Sequence, residues 1–269
     1  MFKCDQLIYL QMQKTGCSHI AFLLSKLFDG QIIGKHTPAP QEDIESNTYI
    51  ISSIRNPWDW YLSLWTFGVQ GGGSFMKNLT ERKPLDALKS AIRNPKKNGM
   101  AMFREFTKDV SSLNKVYDKS DSVESFRTWL KMVHHPDNRR SSGHYEKTAI
   151  IDFAGYMTFR YLRLCCQNVR QLNDPKLIAN FSDLSEFENA NCYVSFFIRQ
   201  ESLEDGICET VEKFRALTEE EKEFIYGAGK TNTSHRPLSI SDYYDKETVE
   251  LIGSRERLLI EKFDYPPPL

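Results

Sequence analysis

The segment that most restricts the fold is Leu7-Ile8-Tyr9-Leu10-Gln11-Met12-Gln13-Lys14-Thr15-Gly16-Cys17-Ser18, a short apolar run that stops at a Lys-Thr-Gly-Cys-Ser turn. Directly behind it, Ile20, Leu23, Leu24 and Leu27 fall at the i, i+3, i+4, i+7 spacing of an amphipathic helix. A strand, a tight loop and a helix N-terminus in that order make an anion site. The loop N–H groups and the helix dipole point at one place, and a lysine adds a full charge. The expected occupant is a phosphate or phosphosulfate group.

Two further runs extend this start into a sheet. Gln31-Ile32-Ile33-Gly34 reads as a strand ending at Lys35-His36-Thr37-Pro38-Ala39-Pro40, where two prolines enforce a loop. Thr48-Tyr49-Ile50-Ile51-Ser52-Ser53-Ile54 is a continuous apolar and β-branched run, as in the buried centre of a parallel sheet. Strand, helix, strand, loop, strand, helix is the order of a doubly wound α/β fold, whose ligands sit at the carboxyl ends of the strands. Lys14, His36 and Arg55 all fall at such ends.

Later segments continue the α/β pattern. A helix is expected from about Ala154 to Leu172 and a buried strand over Cys192–Ile198, leading through Arg199-Gln200-Glu201 into a helix over Leu203–Leu217. A helix near Glu219–Tyr226, a polar loop over Gly227–Ser241 and a final helix over about Lys246–Phe263 follow. Between about residues 70 and 150 the periodicity weakens, with helices expected only over Asp86–Arg93 and Val123–Val133. This segment carries two turn-rich basic stretches, Asn94–Gly99 and His134–Arg140. The reading is a single domain over residues 1–269 with an insertion that selects the substrate.

Composition removes several classes of function. With 40% hydrophobic residues, including 17 Phe and 12 Tyr, the chain can bury a sizeable core. Its 35 Lys and Arg nearly cancel its 36 Asp and Glu, so no global field attracts nucleic acid or an acidic membrane. Any anion must be held by local groups. The six cysteines form no C-x-x-C pair and no cluster at zinc-ligand spacing, and their scatter favours reduced thiols. No metal is expected. Without a signal-peptide pattern or an apolar run near 18 residues, a soluble cytoplasmic protein of unassigned oligomeric state is expected.

The first loop invites comparison with the Walker loop, which also sets a lysine and a hydroxyl at a strand-to-helix turn. The pattern G-x-x-x-x-G-K-[ST] is absent, since Lys14 has no glycine spacer before it and Thr15-Gly16 follow it. A second constellation, Ile54-Arg55-Asn56-Pro57-Trp58-Asp59-Trp60-Tyr61-Leu62-Ser63-Leu64-Trp65, follows the third strand. Pro57 suits a first helical turn, which puts Ser63 about two turns in. Arg55, through its planar fork, and Ser63 can converge on one phosphate. Trp58, Trp60 and Trp65 read mainly as core, with stacking of one of them on a base as the alternative.

Lys-Thr-Gly-x-Ser after the first strand, with Arg-Asn-Pro and a later Ser after another, resembles the two cofactor motifs of the sulfotransferase superfamily. Phe197-Ile198-Arg199-Gln200-Glu201-Ser202-Leu203 is similar to that family's R-x-E-x-L segment. Lys230-Thr231-Asn232-Thr233-Ser234-His235-Arg236, followed by Tyr243-Tyr244-Asp245, resembles its C-terminal cofactor loop. The resemblance covers both ends of the chain and leaves about residues 70–150 unmatched. It implies a three-layer P-loop-like fold, with a central mostly parallel sheet flanked by helices, and use of 3'-phosphoadenosine 5'-phosphosulfate (PAPS). It implies further that Lys14, Thr15, Gly16, Cys17 and Ser18 hold the 5'-phosphosulfate, and that Arg55 and Ser63 hold the 3'-phosphate. Asn232, Ser234 and Arg236 would reach the nucleotide. Gln13 stands where many members have proline and Cys17 where many have glycine, which narrows the loop's backbone choices. Cys17 reads as a small buried residue.

The implied reaction moves a sulfuryl group in line to a hydroxyl or amine of a small-molecule or glycan acceptor. It needs a base at the acceptor and donors at the leaving phosphate. His36 is the expected base, because Lys35-His36-Thr37-Pro38 resembles the Lys-Thr-His-Leu-Pro segment of cytosolic sulfotransferases and an imidazole suits neutral pH. His134, His135 and His144 are rivals, and Lys14 would follow the leaving oxygen. Arg199 and Glu201 read as a structural pair fixing their turn. Two other readings stay open: a P-loop-like kinase or NTPase, and a nucleotide-binding protein without turnover.

Overall fold

The computed structural model places the Leu7–Leu10 run at the centre of a five-stranded sheet. It describes residues 1–269 apart from Asn47, 94–98, 100, 101, 104, 136–142 and 230–235, with the backbone alone at Asp86, Ser90 and Gly143. The strands are β1 (Phe2–Cys4), β2 (Leu7–Leu10), β3 (Gly30–Ile32), β4 (Tyr49–Ile54) and β5 (Phe196–Arg199), in the spatial order β3-β1-β2-β4-β5. β2 pairs in parallel with β4, and β4 with β5, while β1 is antiparallel to both β2 and β3. Two reversals restore direction, so β3 runs the same way as β2, and β1 alone opposes the rest. The fold is therefore α/β, with a mixed, mostly parallel sheet flanked by helices.

The pleat puts all four residues of β2 and the last five of β4 in the core. Two buried serines in β4 are satisfied there: Ser52 donates to the Leu10 carbonyl at 3.0 Å, and Ser53 lies 2.7 Å from the Tyr9 hydroxyl. Helix α1 (Cys17–Leu27) has Ile20, Leu23, Leu24 and Leu27 on its inner face, as its spacing requires, packed in one cluster with Leu203, Ile207, Val211 and Ile225. Each such side chain contributes about 1.5–3 kcal/mol through burial. Phe22, off this stripe, is exposed.

Helix α2 (Gln41–Glu45) is tied to β1 by Lys3, whose ammonium meets Asp43 at 2.8 Å. Helix α3 (Pro57–Val69) begins at the proline expected in its first turn, and Asn56 caps it by accepting the Trp58 N–H at 3.0 Å. The chain resolves into two compact units, Met1–Tyr61 with Lys147–Thr233 and Val249–Leu269, and Leu62–Glu146 with Ser234–Thr248. The stretch expected as an insertion falls within the second. That unit has its own aromatic core of Trp65, Phe126, Trp129 and Tyr243. Arg127 within it donates to the carbonyls of Tyr243 and Tyr244.

Several expected boundaries move. The helix expected over Ala154–Leu172 stops at Cys165, where Cys166 turns extended and enters a β-bridge with Cys192. The strand expected to begin at Cys192 begins instead at Phe196, and a helix over Phe181–Asn191, capped by Asn180, precedes it. The helix expected over Leu203–Leu217 ends at Glu212. The final helix is two, Lys246–Arg255 and Arg257–Phe263, broken at Glu256. Glu256 is fully buried, and its carboxylate accepts from Tyr61 Oη (2.5 Å), Met157 N (3.1 Å), Thr158 N (2.8 Å) and Thr158 Oγ1 (2.6 Å). It thus serves the orphan N–H groups that open the helix Tyr156–Cys165. Burial raises its carboxyl above the ordinary range against the pull of these donors. Among the described residues, no helix is long and apolar enough to cross a membrane.

Removing the carboxylate leaves four donors facing a void. Glu256→Ala is expected to lower the unfolding free energy by about 3 kcal/mol or more, read from urea denaturation. An unchanged midpoint would show that this carboxylate does not support the helix start.

Candidate functional site

The loop between β2 and α1 is fixed through its carbonyls. The Thr15 hydroxyl donates to the Met12 carbonyl at 2.8 Å, the Trp60 indole N–H to the Gln13 carbonyl at 2.7 Å, and Arg55 Nη1 to the Lys14 carbonyl at 3.0 Å. In a trans peptide the C=O of one residue and the N–H of the next point in opposite directions, and among the described residues no peptide bond is cis. The N–H groups of Gln13, Lys14 and Thr15 are therefore turned away from the donors that hold those carbonyls. Lys14 and Gly16 take left-handed backbone angles, φ 62° and 75°, on either side of Thr15. Alternation of this kind gathers successive N–H groups into a concave anion nest. The N–H groups of Cys17 and Ser18, which open the 11-residue helix α1, follow directly, while the His19 N–H already bonds the Gly16 carbonyl at 2.9 Å.

Gly16 is the helix N-cap, and a Cβ there would lie 2.8 Å from Leu203 Cδ1. Its identity is thus set both by backbone angle and by close packing. Gln13 and Cys17, the two departures from the sulfotransferase pattern, do not take left-handed angles; the strain falls on Lys14 instead. Thr15 is fully buried, and its hydroxyl also lies 2.6 Å from Ser53 Oγ. That hydroxyl is committed to the loop, so any bond from Thr15 to an anion is through its N–H. Cys17 is buried and its thiol is raised by burial, opposed first by Lys35, so it stays protonated at neutral pH. Ser18 is half-buried and its hydroxyl accepts from Lys35 Nζ at 3.1 Å.

Arg55, 7% exposed, directly follows β4. Its fork grips Asp59, through Nε at 2.7 Å and Nη2 at 2.5 Å, besides holding the Lys14 carbonyl. The carboxylate of Asp59 therefore sits where the sequence reading put a phosphate on this arginine. Asp59 lies one helical turn from Arg55, an i,i+4 spacing that the sequence displays. Ser63 is buried two turns into α3 and belongs to the second unit, as do Arg236, His134, His135 and His144. His134 directs Nδ1 at the Leu130 carbonyl of its own helix, 2.8 Å away. Asn232 and Ser234, with the rest of the expected cofactor loop up to His235, lie outside the described residues, and so do 136–140 of the basic stretch after His135 and 94–98 of the other.

His36 follows β3 with φ 57° and is half-buried. Its Nδ1 lies 2.7 Å from the Gln11 carbonyl, which can only accept, so Nδ1 carries the proton and Nε2 presents a lone pair. Burial first, with help from Arg160 and Lys35 and against the Gln11 bond, lowers its pKa below 6.5. At neutral pH it is a neutral imidazole in the tautomer of a base acting through Nε2.

Trp58, Trp60 and Trp65 are all buried, as the core reading has them. Trp58 donates to the Val249 carbonyl at 3.1 Å, and Trp60 anchors the loop. Arg199 and Glu201 do not form the expected pair. Arg199 donates to the Phe263 carbonyl at 2.6 Å, while Glu201 accepts the Asn56 N–H at 2.6 Å and so holds the Arg-Asn-Pro turn. Gln11, Ser53, Asp59, Trp60 and Glu201 are the supporting residues that the sequence reading did not assign to the site.

Gly16→Ala is expected to lose about 1–3 kcal/mol of stability, measured by thermal or urea unfolding, through strain and the Leu203 contact. A wild-type midpoint would mean that the loop reshapes freely around this position. No family model matches the chain, and neither a curated protein nor a solved structure matches it.

Proposed function

We propose that the loop over residues 12–18 takes the phosphosulfate end of PAPS and that the protein is a P-loop-like sulfotransferase acting on a hydroxyl or amine of a small-molecule or glycan acceptor. The observation that carries this reading is that three successive loop carbonyls are tied down by donors, which turns their partner N–H groups away from those donors and leaves them available to an anion. The residues fit such a group. Lys14 and the N–H groups from Gln13 to Ser18 would hold the anion, and Lys35, bonded to Ser18, lines the same helix start. Bound PAPS supplies a sulfuryl group on a phosphate leaving group.

The chain's own contribution is to bind, orient and move one proton. His36, neutral and protonated at Nδ1, accepts the acceptor's proton at Nε2, and the Gln11 carbonyl then stabilises the imidazolium by keeping its Nδ1–H bond. Lys14 and the loop N–H groups favour negative charge gathering on the departing phosphate oxygen. Arg55 braces the loop through the Lys14 carbonyl; a role for it on the 3'-phosphate requires exchange with Asp59.

Isothermal titration with adenosine 3',5'-bisphosphate is expected to give saturable binding, weakened at least tenfold in Arg55→Ala. No heat at high micromolar nucleotide, or tighter binding of ATP with magnesium, would overturn the reading, the latter in favour of a kinase or NTPase. With labelled PAPS and a panel of hydroxylated acceptors, His36→Ala should keep nucleotide binding and lose about 100-fold or more of the rate. Wild-type binding without transfer to any acceptor would favour a nucleotide-binding protein. Because His36 must be neutral to act, kcat/KM should fall on the acid side with an apparent pKa below 6.5 and stay level through neutrality. A flat acid limb would remove His36 from the reaction.

A further inference from the structure

Cys166 and Cys192 end two different helices and face each other across an isolated antiparallel bridge. The hydrogen bonds beside the pair run from Gln167 N to the Asn191 carbonyl, 3.0 Å, and from Tyr193 N to the Cys165 carbonyl, 3.1 Å. These bonds flank the pair without belonging to it, so it is a non-hydrogen-bonded pair, with Cα atoms about 4.5 Å apart. That separation lies inside the range of about 4.4–6.8 Å that a disulfide spans. All six cysteines are thiols in the structure, and the two sulfurs lie within 4.8 Å of each other. The backbone thus already stands at a separation that a disulfide spans.

The surroundings differentiate the two thiols. Cys166 is buried, whereas Cys192 is half-buried and the more exposed of the two. The bond from the Cys166 thiol is the largest influence lowering Cys192, against the opposing effect of burial, and the Val194 N–H adds to it. The same bond raises Cys166. Tyr161 Oη lies 3.5 Å from Cys192 Sγ, but its one proton goes to Glu188 at 2.5 Å. Glu188 also faces the two sulfurs, with its carboxylate paired to Lys262 at 2.9 Å. Cys165, next in the chain, is deeply buried and held up by burial. The three groups Cys166, Glu188 and Cys192 could in principle ligate a cation. Lys262 and the Tyr161 proton already occupy the carboxylate, and an ammonium beside a cation is repulsive, so the arrangement favours sulfur chemistry.

We propose that Cys192 and Cys166 are a thiol–disulfide exchange pair that reacts with small disulfides such as oxidised glutathione. The Cys192 thiolate attacks one sulfur of the oxidant, forming a mixed disulfide and releasing one glutathione thiolate, which takes up the proton Cys192 had lost. Cys166 then gives its proton to solvent or buffer and attacks Cys192 Sγ. The Cys166–Cys192 bond forms, the mixed bond breaks, and the second glutathione leaves as a thiol after reprotonation. Two protein thiols are oxidised and one small disulfide is reduced to two thiols. The product links the end of the helix Tyr156–Cys165 to the segment that leads into β5.

Reduced full-length protein, incubated with oxidised glutathione, quenched in acid, alkylated and digested, tests this by peptide mass spectrometry. The expected result is a cross-linked peptide joining Cys166 to Cys192 that dithiothreitol reverses. Cys166→Ser should stop at one glutathione on Cys192, and Cys165→Ser should still form the cross-link. Absence of the cross-link in wild type, a bond from Cys192 to Cys165, or stoichiometric zinc that shields both thiols until a chelator removes it would each overturn the proposal. None of these outcomes bears on nucleotide binding, so this inference and the proposed function stand or fall separately.

Discussion

Three hydrogen bonds to the carbonyls of Met12, Gln13 and Lys14 decide the character of the loop that follows β2. They come from three places: a hydroxyl within the loop, an indole on α3 and a guanidinium at the end of β4. Each contributes about 1 kcal/mol net, the charged one somewhat more. Against them stands the left-handed conformation of Lys14, which costs about 1–2 kcal/mol in a residue with a Cβ. The balance favours the bonded loop. The bond to the Lys14 carbonyl helps to hold this backbone, and it turns the N–H of the same peptide away from Arg55.

The anchors are themselves anchored. The Thr15 hydroxyl continues through Ser53 to Tyr9, a buried chain that joins β2, the loop and β4. Arg55 is oriented by Asp59 one turn along α3, and the N–H of Asn56 beside it is held by Glu201 at the turn after β5. Arg199, on the strand just before that turn, is fastened to the Phe263 carbonyl and lies over the Tyr265 ring, 5.1 Å from its centroid. The loop thus inherits rigidity from β4 and β5 and from the C-terminal segment, which explains why residues so distant in sequence bear on one short turn.

How much of this was legible in the sequence follows from how local each cause is. The amphipathic stripe of α1, the buried run of β4 and Pro57 in a first turn all depend on neighbours a few residues away, and the structure has them where they were expected. The directions of β2, β3 and β4 also agree with Lys14, His36 and Arg55 at one edge, although β1, only three residues long and containing Lys3, gives too short a pattern to read. Long-range pairings were not legible. Nothing local says that Trp60 reaches Gln13, that Glu201 reaches Asn56 rather than Arg199, or that Glu256 breaks a helix to serve the start of another. Asp59 is the exception: its i,i+4 spacing from Arg55 was available and distinguishes a paired arginine from one poised for a ligand.

That pairing makes the two ends of the site unequal. The N–H groups that follow the Met12, Gln13 and Lys14 carbonyls carry partial positive charges fixed by the backbone. At Arg55 the guanidinium already neutralises Asp59 with two short contacts in a part-buried setting, where a second anion is repelled by the carboxylate. A phosphate arriving at that fork must either displace the carboxylate or share the guanidinium with it, and either route costs binding energy that the loop end does not demand. On the proposed reading, an anion would be captured first at the loop. Contact with Arg55, for a ligand long enough to reach it, would be a second and more selective step, governed by whether Asp59 yields.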